Sequence, residues 1–201
     1  ASRQYEAAER LLRVAVCVDA ACSPRAAATS SDSAVYEAAY QLGFLLYRYR
    51  RERVEHALMW FEALAVVPGR RRDDASYFYG LAAARMFRHD EARRALGAFA
   101  AANPTDPRAP EARYLAAWQL VESGRHRAAI AALSERNWRQ TDYADRARWW
   151  RGWVRRAAGD CVGALDDWAL LDAAGPQALR NEYWRAACLA ETDRSDEAAA
   201  L

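Results

Sequence analysis

The sequence predicts an all-helical protein assembled from repeated two-helix units, and three observations carry that expectation. Alanine, the strongest helix former, supplies much of the 53% hydrophobic share, and extended runs of β-branched residues are missing. A small residue that opens an apolar run after a turn recurs as Ala8, Ala57, Ala92, Ala129, Ala164 and Ala198. The intervals are 49, 35, 37, 35 and 34 residues, so four of the five share one period. Turn residues come at the same place ahead of the alanines, as Gly124 in "GRHRAAI", Gly159 in "GDCVGAL" and Asp193.

The elements follow in order. Residues 3–18, "RQYEAAERLLRVAVCV", read as the second helix of a unit whose first helix precedes the segment, giving a truncated repeat over 1–20. The stretch "ACSPRAAATSSDS", 21–33, is rich in Ser, Ala and Thr with a proline, and is expected to be a mobile loop. It accounts for most of the long first interval, and two extra residues in the turn "RYRRERVE" account for the rest. Repeats then fill 34–201, as units 34–72, 73–108, 109–144, 145–177 and a shortened 178–201. Twelve residues ahead of the later alanines stand Gly80, Ala117, Gly152 and Ala186, with Gly43 in that role in the first full unit. Small residues on both sides allow two helices to cross closely. Four residues after the alanines come Phe61, Leu96, Leu133 and Trp168. Pro104 and Pro176, with Gly69 in the equivalent slot, end the second helices.

This register resembles the tetratricopeptide repeat (TPR) family from about residue 34 onward. The resemblance implies a right-handed superhelical solenoid of about five helix-turn-helix units, with first helices lining a concave wall where partners bind. One feature departs from the usual pattern. The place four residues before the small first-helix position, normally aromatic, holds Ala39, Ser76, Arg113, Arg148 and Glu182. The aromatic stands one residue later, as Tyr40, Tyr77, Tyr114, Trp149 and Tyr183. With "FAAANPTDPRAPEARYLAAW" and "NEYWRAACLAETDRSDEA", the chain is similar to a TPR subgroup of bacterial envelope proteins. That subgroup includes outer-membrane assembly lipoproteins, periplasmic cell-division coordinators and the superhelical domain of soluble lytic transglycosylases. The resemblance favours the periplasm or cell envelope over the cytoplasm.

Helix spacing then marks a candidate surface. Residues i and i+4 share a face, so Tyr40/Phe44, Tyr114/Trp118 and Trp149/Trp153 form an aromatic stripe along successive first helices. The stripe either fills the seam between first helices or presents flat faces to a peptide, a helix or a sugar strand. Trp118 and Trp153 are the members expected to be exposed, with Arg148, Arg151, Arg155 and Arg156 around them suiting a carboxylate-bearing ligand. The candidate partner-binding set is Tyr40, Phe44, Tyr77, Tyr114, Trp118, Trp149, Trp153, Arg156 and Tyr183. The expected function is a non-catalytic scaffold for a protein or peptide. The alternative is the superhelical domain of a peptidoglycan lytic transglycosylase, guiding a glycan strand. A self-associating solenoid is a third reading.

Other classes find no support in the chain. A net charge of +2 gives no case for nucleic acid, although all 29 cations are arginine. The clusters Arg50-Arg51 and Arg70-Arg71-Arg72 fall at turns and are expected to be solvated. No apolar run reaches the roughly 20 residues that span a bilayer. His56, His89 and His126 are explained by repeat position, and no nucleophile motif or phosphate loop appears. Asp73-Asp74 suits a helix start and Asp166-Asp167 an outer face. Neither a cofactor nor a metal is expected. The four cysteines are expected to be small buried apolar residues; a Cys161–Cys188 disulfide in an oxidising compartment is the sharper alternative, and Cys17–Cys22 a weaker one. Both ends, "ASRQYEAAERLL" and "DEAAAL", fall within helical pattern, as an excised segment would.

Overall fold

The computed structural model describes residues 2–17, 23–138, 141–171 and 178–200. Among them there is no strand, and the helices are α1 (Ser2–Ala15), α2 (Pro24–Ala28), α3 (Ser33–Tyr49), α4 (Val54–Ala65), α5 (Arg72–Arg85), α6 (His89–Ala102), α7 (Ala109–Glu122), α8 (His126–Ala132), α9 (Ala144–Ala157), α10 (Cys161–Ala169), α11 (Ala178–Glu191) and α12 (Ser195–Ala199). The chain divides into two compact units, residues 1–112 and 113–201.

Antiparallel pairs close where the repeat logic places them. A Cβ added at Gly43 would lie 3.1 Å from Phe61 Cε1, one at Gly80 2.6 Å from Leu96 Cγ, and one at Gly152 2.5 Å from Trp168 Nε1. Each of these three first helices thus seats its side-chain-free position directly on the large residue that follows the repeat alanine by four. Ala57, Ala92, Ala129 and Ala164 are themselves fully buried.

Four hairpins turn through one left-handed residue. Phe87, Gly124, Gly159 and Asp193 have φ of 57°, 68°, 84° and 57°. The N–H of the following residue bonds back to the carbonyl five earlier, from Arg88 to Ala83, Arg125 to Leu120, Asp160 to Arg155 and Arg194 to Leu189, at 2.9–3.0 Å. This is the Schellman closure of a helix end. Phe87, a bulky side chain in a conformation suited to glycine, escaped the sequence reading. The α3–α4 pair instead turns through a 3-10 segment, Arg51–Arg53, within the longer turn.

Part of the stretch expected to be a loop is ordered. Pro24 stands at the start of α2, where its missing N–H costs nothing, and Ser23 Oγ accepts from the Ala26 N–H. Ala27 and Ala28 are buried between α3 and α4. The first unit also recruits Arg50, expected to be solvated, together with two further arginines. Arg53 and Arg50 reach buried Glu9 of α1 at 2.5 and 3.5 Å, tying that helix to the α3–α4 turn, and Arg13 of α1 itself joins them at 2.9 Å.

In the second unit Trp138 and Trp168 are fully buried, and their indole N–H groups donate to the carbonyls of Ala132 (3.0 Å) and Trp149 (3.1 Å). Asp167 does not face outward: it is 2% exposed and accepts from Arg151 and Arg155 of α9. The two guanidinium groups neutralise a carboxylate that one helix's pattern would put at the surface. Cys161 and Cys188 are joined in a disulfide with a Cα–Cα distance of 5.3 Å, rather than merely packed together. The bond fastens α10 to α11 across a separation of 27 residues, a loop closure worth about 3.5 kcal/mol on the chain-entropy model. Cys22, Pro176 and the end residue Leu201 lie outside the described residues.

Two substitutions probe this architecture in opposite directions. Gly152→Ala is expected to cost about 2–3 kcal/mol, because the new methyl displaces the Trp168 ring and its hydrogen bond. Phe87→Gly is expected to gain about 1 kcal/mol by relieving the left-handed backbone. Urea unfolding followed by tryptophan fluorescence measures both; an unchanged midpoint for Gly152→Ala would contradict the close crossing.

Candidate functional site

The aromatic column has one rule in both units: each ring before the last, Tyr183, carries an arginine from the start of the next first helix. In the first unit Arg71 lies 4.9 Å over Tyr40, and Arg108 lies 5.1 Å over Tyr77. In the second, Arg146 lies 5.6 Å over Tyr114 and Arg180 lies 4.5 Å over Trp149. Such stacks contribute roughly 0.5–1 kcal/mol each at exposed sites. The rings themselves are mostly inside. Tyr40, Tyr77, Tyr114 and Trp149 are buried, whereas Tyr183 is 66% exposed.

A second ring, immediately after the column, packs backward onto the preceding first helix. Phe78 meets Phe44 edge-on at 5.2 Å and lies 6.4 Å from Tyr40. Trp150 lies 4.2 Å from Trp118, 4.6 Å from Trp149 and 5.7 Å from Trp153. Trp184 packs on the core formed by Trp149, Cys161, Trp168 and Cys188. Following a single helical phase misses Phe78, Trp150 and Trp184; the signal for them is the aromatic doublet in "YF", "WW" and "YW". Phe44, Trp118, Trp150, Trp153 and Trp184 are all half-buried, so they make seam contacts and still show an edge to solvent.

The two units differ in charge at one register. Three residues before the column the first unit carries acids, and the second carries arginines. Glu37 and Asp74 belong to an unbroken ladder: Arg71 donates to Glu37 (2.9 Å) and Asp74 (3.3 Å), and Arg108 to Asp74 (2.8 Å) and Asp106 (2.7 Å). Glu111 accepts from the Tyr77 hydroxyl at 2.8 Å. The Arg71 hydrogen bond holds Glu37 below its ordinary pKa, and Arg108 does the same for Asp106. Burial raises the Tyr40 and Tyr114 phenols to about 12, and burial together with the Glu111 carboxylate raises Tyr77. These phenols are hydrogen-bonding groups, not bases, at neutral pH.

In the second unit the equivalent places hold Arg146 and Arg180. Both are exposed, backed by aromatic rings, and without an ion pair among the described residues. The arginines singled out from sequence around the tryptophans are engaged instead. Arg151 and Arg155 hold Asp167, Arg148 holds Asp145 at 2.9 Å, and Arg156 pairs with Glu191 while lying 4.7 Å over Trp184. The histidines stay apart in the helix starts of α4, α6 and α8, as repeat position suggests.

Solved structures share this arrangement of hairpins. A Podosopora anserina protein assigned to the kinesin light chains, with nearly identical TPR-like repeats, aligns with TM-score 0.59 at 12% identity, over 85% of this chain and 92% of that one. A singly substituted form of that protein aligns with TM-score 0.58 at 13% identity, over 81% and 89%. BtubC (BKLC) from P. vanneervenii aligns with TM-score 0.52 at 13% identity, over 99% and 87%. The chain has the TPR-like repeat fold. No protein-family model matches it, and neither does any curated protein. The bacterial-envelope subgroup therefore rests on the sequence resemblance alone.

The ladder gives a pH-dependent prediction. Because Arg71 depresses the Glu37 pKa, the pair adds stability at neutral pH that is lost as pH falls through the lowered value. Glu37 is partly exposed, so Glu37→Gln is expected to cost only about 0.5 kcal/mol at pH 7. The gap from the parent chain should close as pH drops below 4.5; a difference that persists in acid would point away from the ion pair.

Proposed function

We propose that this TPR-like chain is a non-catalytic scaffold that binds an extended, acidic protein segment along the first helices of its second unit. The observation that carries this reading is the pair Arg146 and Arg180, stacked on rings and without an ion pair among the described residues, where the first unit supplies its own carboxylates. A guanidinium lying on an aromatic face keeps its edge N–H groups free to grip a carboxylate. The half-buried rings of Trp118, Trp150 and Trp153 provide apolar contact between those charges. Of the residues chosen from sequence, Trp118 and Trp153 keep a direct contact role. Tyr114 and Trp149 act as platforms under the arginines, Arg156 holds Trp184, and Tyr183 offers an open ring at the end of the column. Tyr40, Phe44 and Tyr77 serve the packing of the first unit. The disulfide suits an oxidising compartment, in keeping with the envelope reading. No specific observation favours a glycan-guiding role.

Selection of displayed random peptides against the full chain tests this. Binders rich in Asp or Glu are expected, losing at least tenfold in affinity, about 1.4 kcal/mol, against Arg146→Gln/Arg180→Gln and against Trp118→Ala. Circular dichroism checks that both variants stay folded. Binders without acidic residues, or indifferent to both variants, would refute the assignment, as would tighter capture of purified peptidoglycan than of any peptide.

A further inference from the structure

A carboxylate rests against sulfur at the α10–α11 junction, and the disulfide does not explain it. Glu191 Oε2 lies 3.2 Å from Cys161 Sγ. A sulfur bonded to another sulfur has no proton to give, so the two face each other as acceptors. The other carboxylate oxygen is already held by Arg156. Cys161 and Cys188 are buried, while Glu191 is exposed and opens the cluster to solvent. The two sulfurs and one carboxylate oxygen all lie within 4.8 Å of one another. Around a tetrahedral zinc, with bonds of about 2.3 Å to sulfur and 2.0 Å to oxygen, neighbouring ligand atoms sit roughly 3.5 Å apart. The two Cα atoms are 5.3 Å apart, and reduction frees both cysteine side chains to rotate toward that spacing.

We infer that the reduced form of this junction binds a zinc-class divalent ion through Cys161, Cys188 and Glu191. The Arg156 contact orients the Glu191 carboxylate from outside the coordination sphere. The chemistry balances. A dithiol reductant delivers two electrons, the Cys161–Cys188 bond breaks, each sulfur takes up a proton, and the reductant leaves as its own disulfide. The ion then displaces both thiol protons, binds two thiolates and one carboxylate oxygen, and keeps water as a fourth ligand. The same two helices are fastened by a covalent bond when oxidised and by a metal when reduced.

The test uses the full chain carrying Cys17→Ser and Cys22→Ser, so that only the junction thiols remain. After reduction with a phosphine under anaerobic conditions, cobalt(II) chloride is titrated in and thiolate-to-cobalt charge-transfer absorption is followed. One cobalt per chain is expected, released on adding zinc. Cys161→Ser and Cys188→Ser each should lose most of the band, and Glu191→Gln should weaken binding at least tenfold while leaving it one to one. The untreated disulfide form should not respond. Cobalt binding no tighter than in the Cys161→Ser chain, or unchanged affinity in Glu191→Gln, would overturn the site.

Discussion

The structure depends on a contact between something absent and something large. In each of three hairpins a first-helix glycine faces a bulky second-helix side chain, Gly43 on Phe61, Gly80 on Leu96 and Gly152 on Trp168. With no Cβ in the way, the helix axes approach closely and the large side chain fills the crossing. The crossing also fixes the rotation of the first helix. A residue three earlier lies about 60° around the axis, at the edge of the hairpin instead of its centre. That is where the aromatic column stands, and it is why those rings touch their own partner helix and also reach the arginines of the neighbouring hairpin.

The neighbour answers with arginine, by two routes to one geometry. In the first unit, column aromatics are 37 residues apart and the stacking arginines, Arg71 and Arg108, come from just outside or at the edge of the next first helix. In the second the spacing falls to 34 between Trp149 and Tyr183, and Arg180 stacks from inside the first turn. The ring-to-arginine offset hardly changes: 31 residues for Tyr40, Tyr77 and Trp149, and 32 for Tyr114. An all-arginine cation supply, which in sequence looks like compositional bias, serves this junction well. A planar, weakly hydrated guanidinium stacks on a ring and still donates at its edge, which an ammonium does less well.

Most of the fold was legible because it is periodic. The small positions, the second-helix residues that face them and the turns at Gly124 and Gly159 all follow from spacing. What escaped lacks a periodic signal. Phe87 gives no hint of a left-handed turn, since its conformation is imposed by the hairpin and not by its own preference. Asp167 reads as an outer-face residue until Arg151 and Arg155 arrive from another helix. The Cys161–Cys188 bond was legible only as the alternative to simple packing, because it depends on how α11 docks on α10. The site was half legible. The column was found, but the doublet partners Phe78, Trp150 and Trp184 lie one helical phase away, and the free arginines were not the ones nearest the tryptophans in sequence.

The placement of Arg146 and Arg180 is hard to explain by stability alone. Each is the third residue of its helix, where the macrodipole disfavours a cation by roughly 0.3–1 kcal/mol. The first unit puts Asp74 at that place in α5, the choice a stable helix favours. Stacking on Tyr114 and Trp149 returns a similar amount, so the substitution is near neutral to the fold. Its net effect is electrostatic: a ledge that is self-neutralised in the first unit becomes one in the second with two arginines that have no ion pair among the described residues. An outside carboxylate approaching Arg71 or Arg108 has to displace an existing partner. One approaching Arg146 or Arg180 displaces no ion-pair partner among the described residues, and it brings to each helix start the negative charge that the backbone there favours.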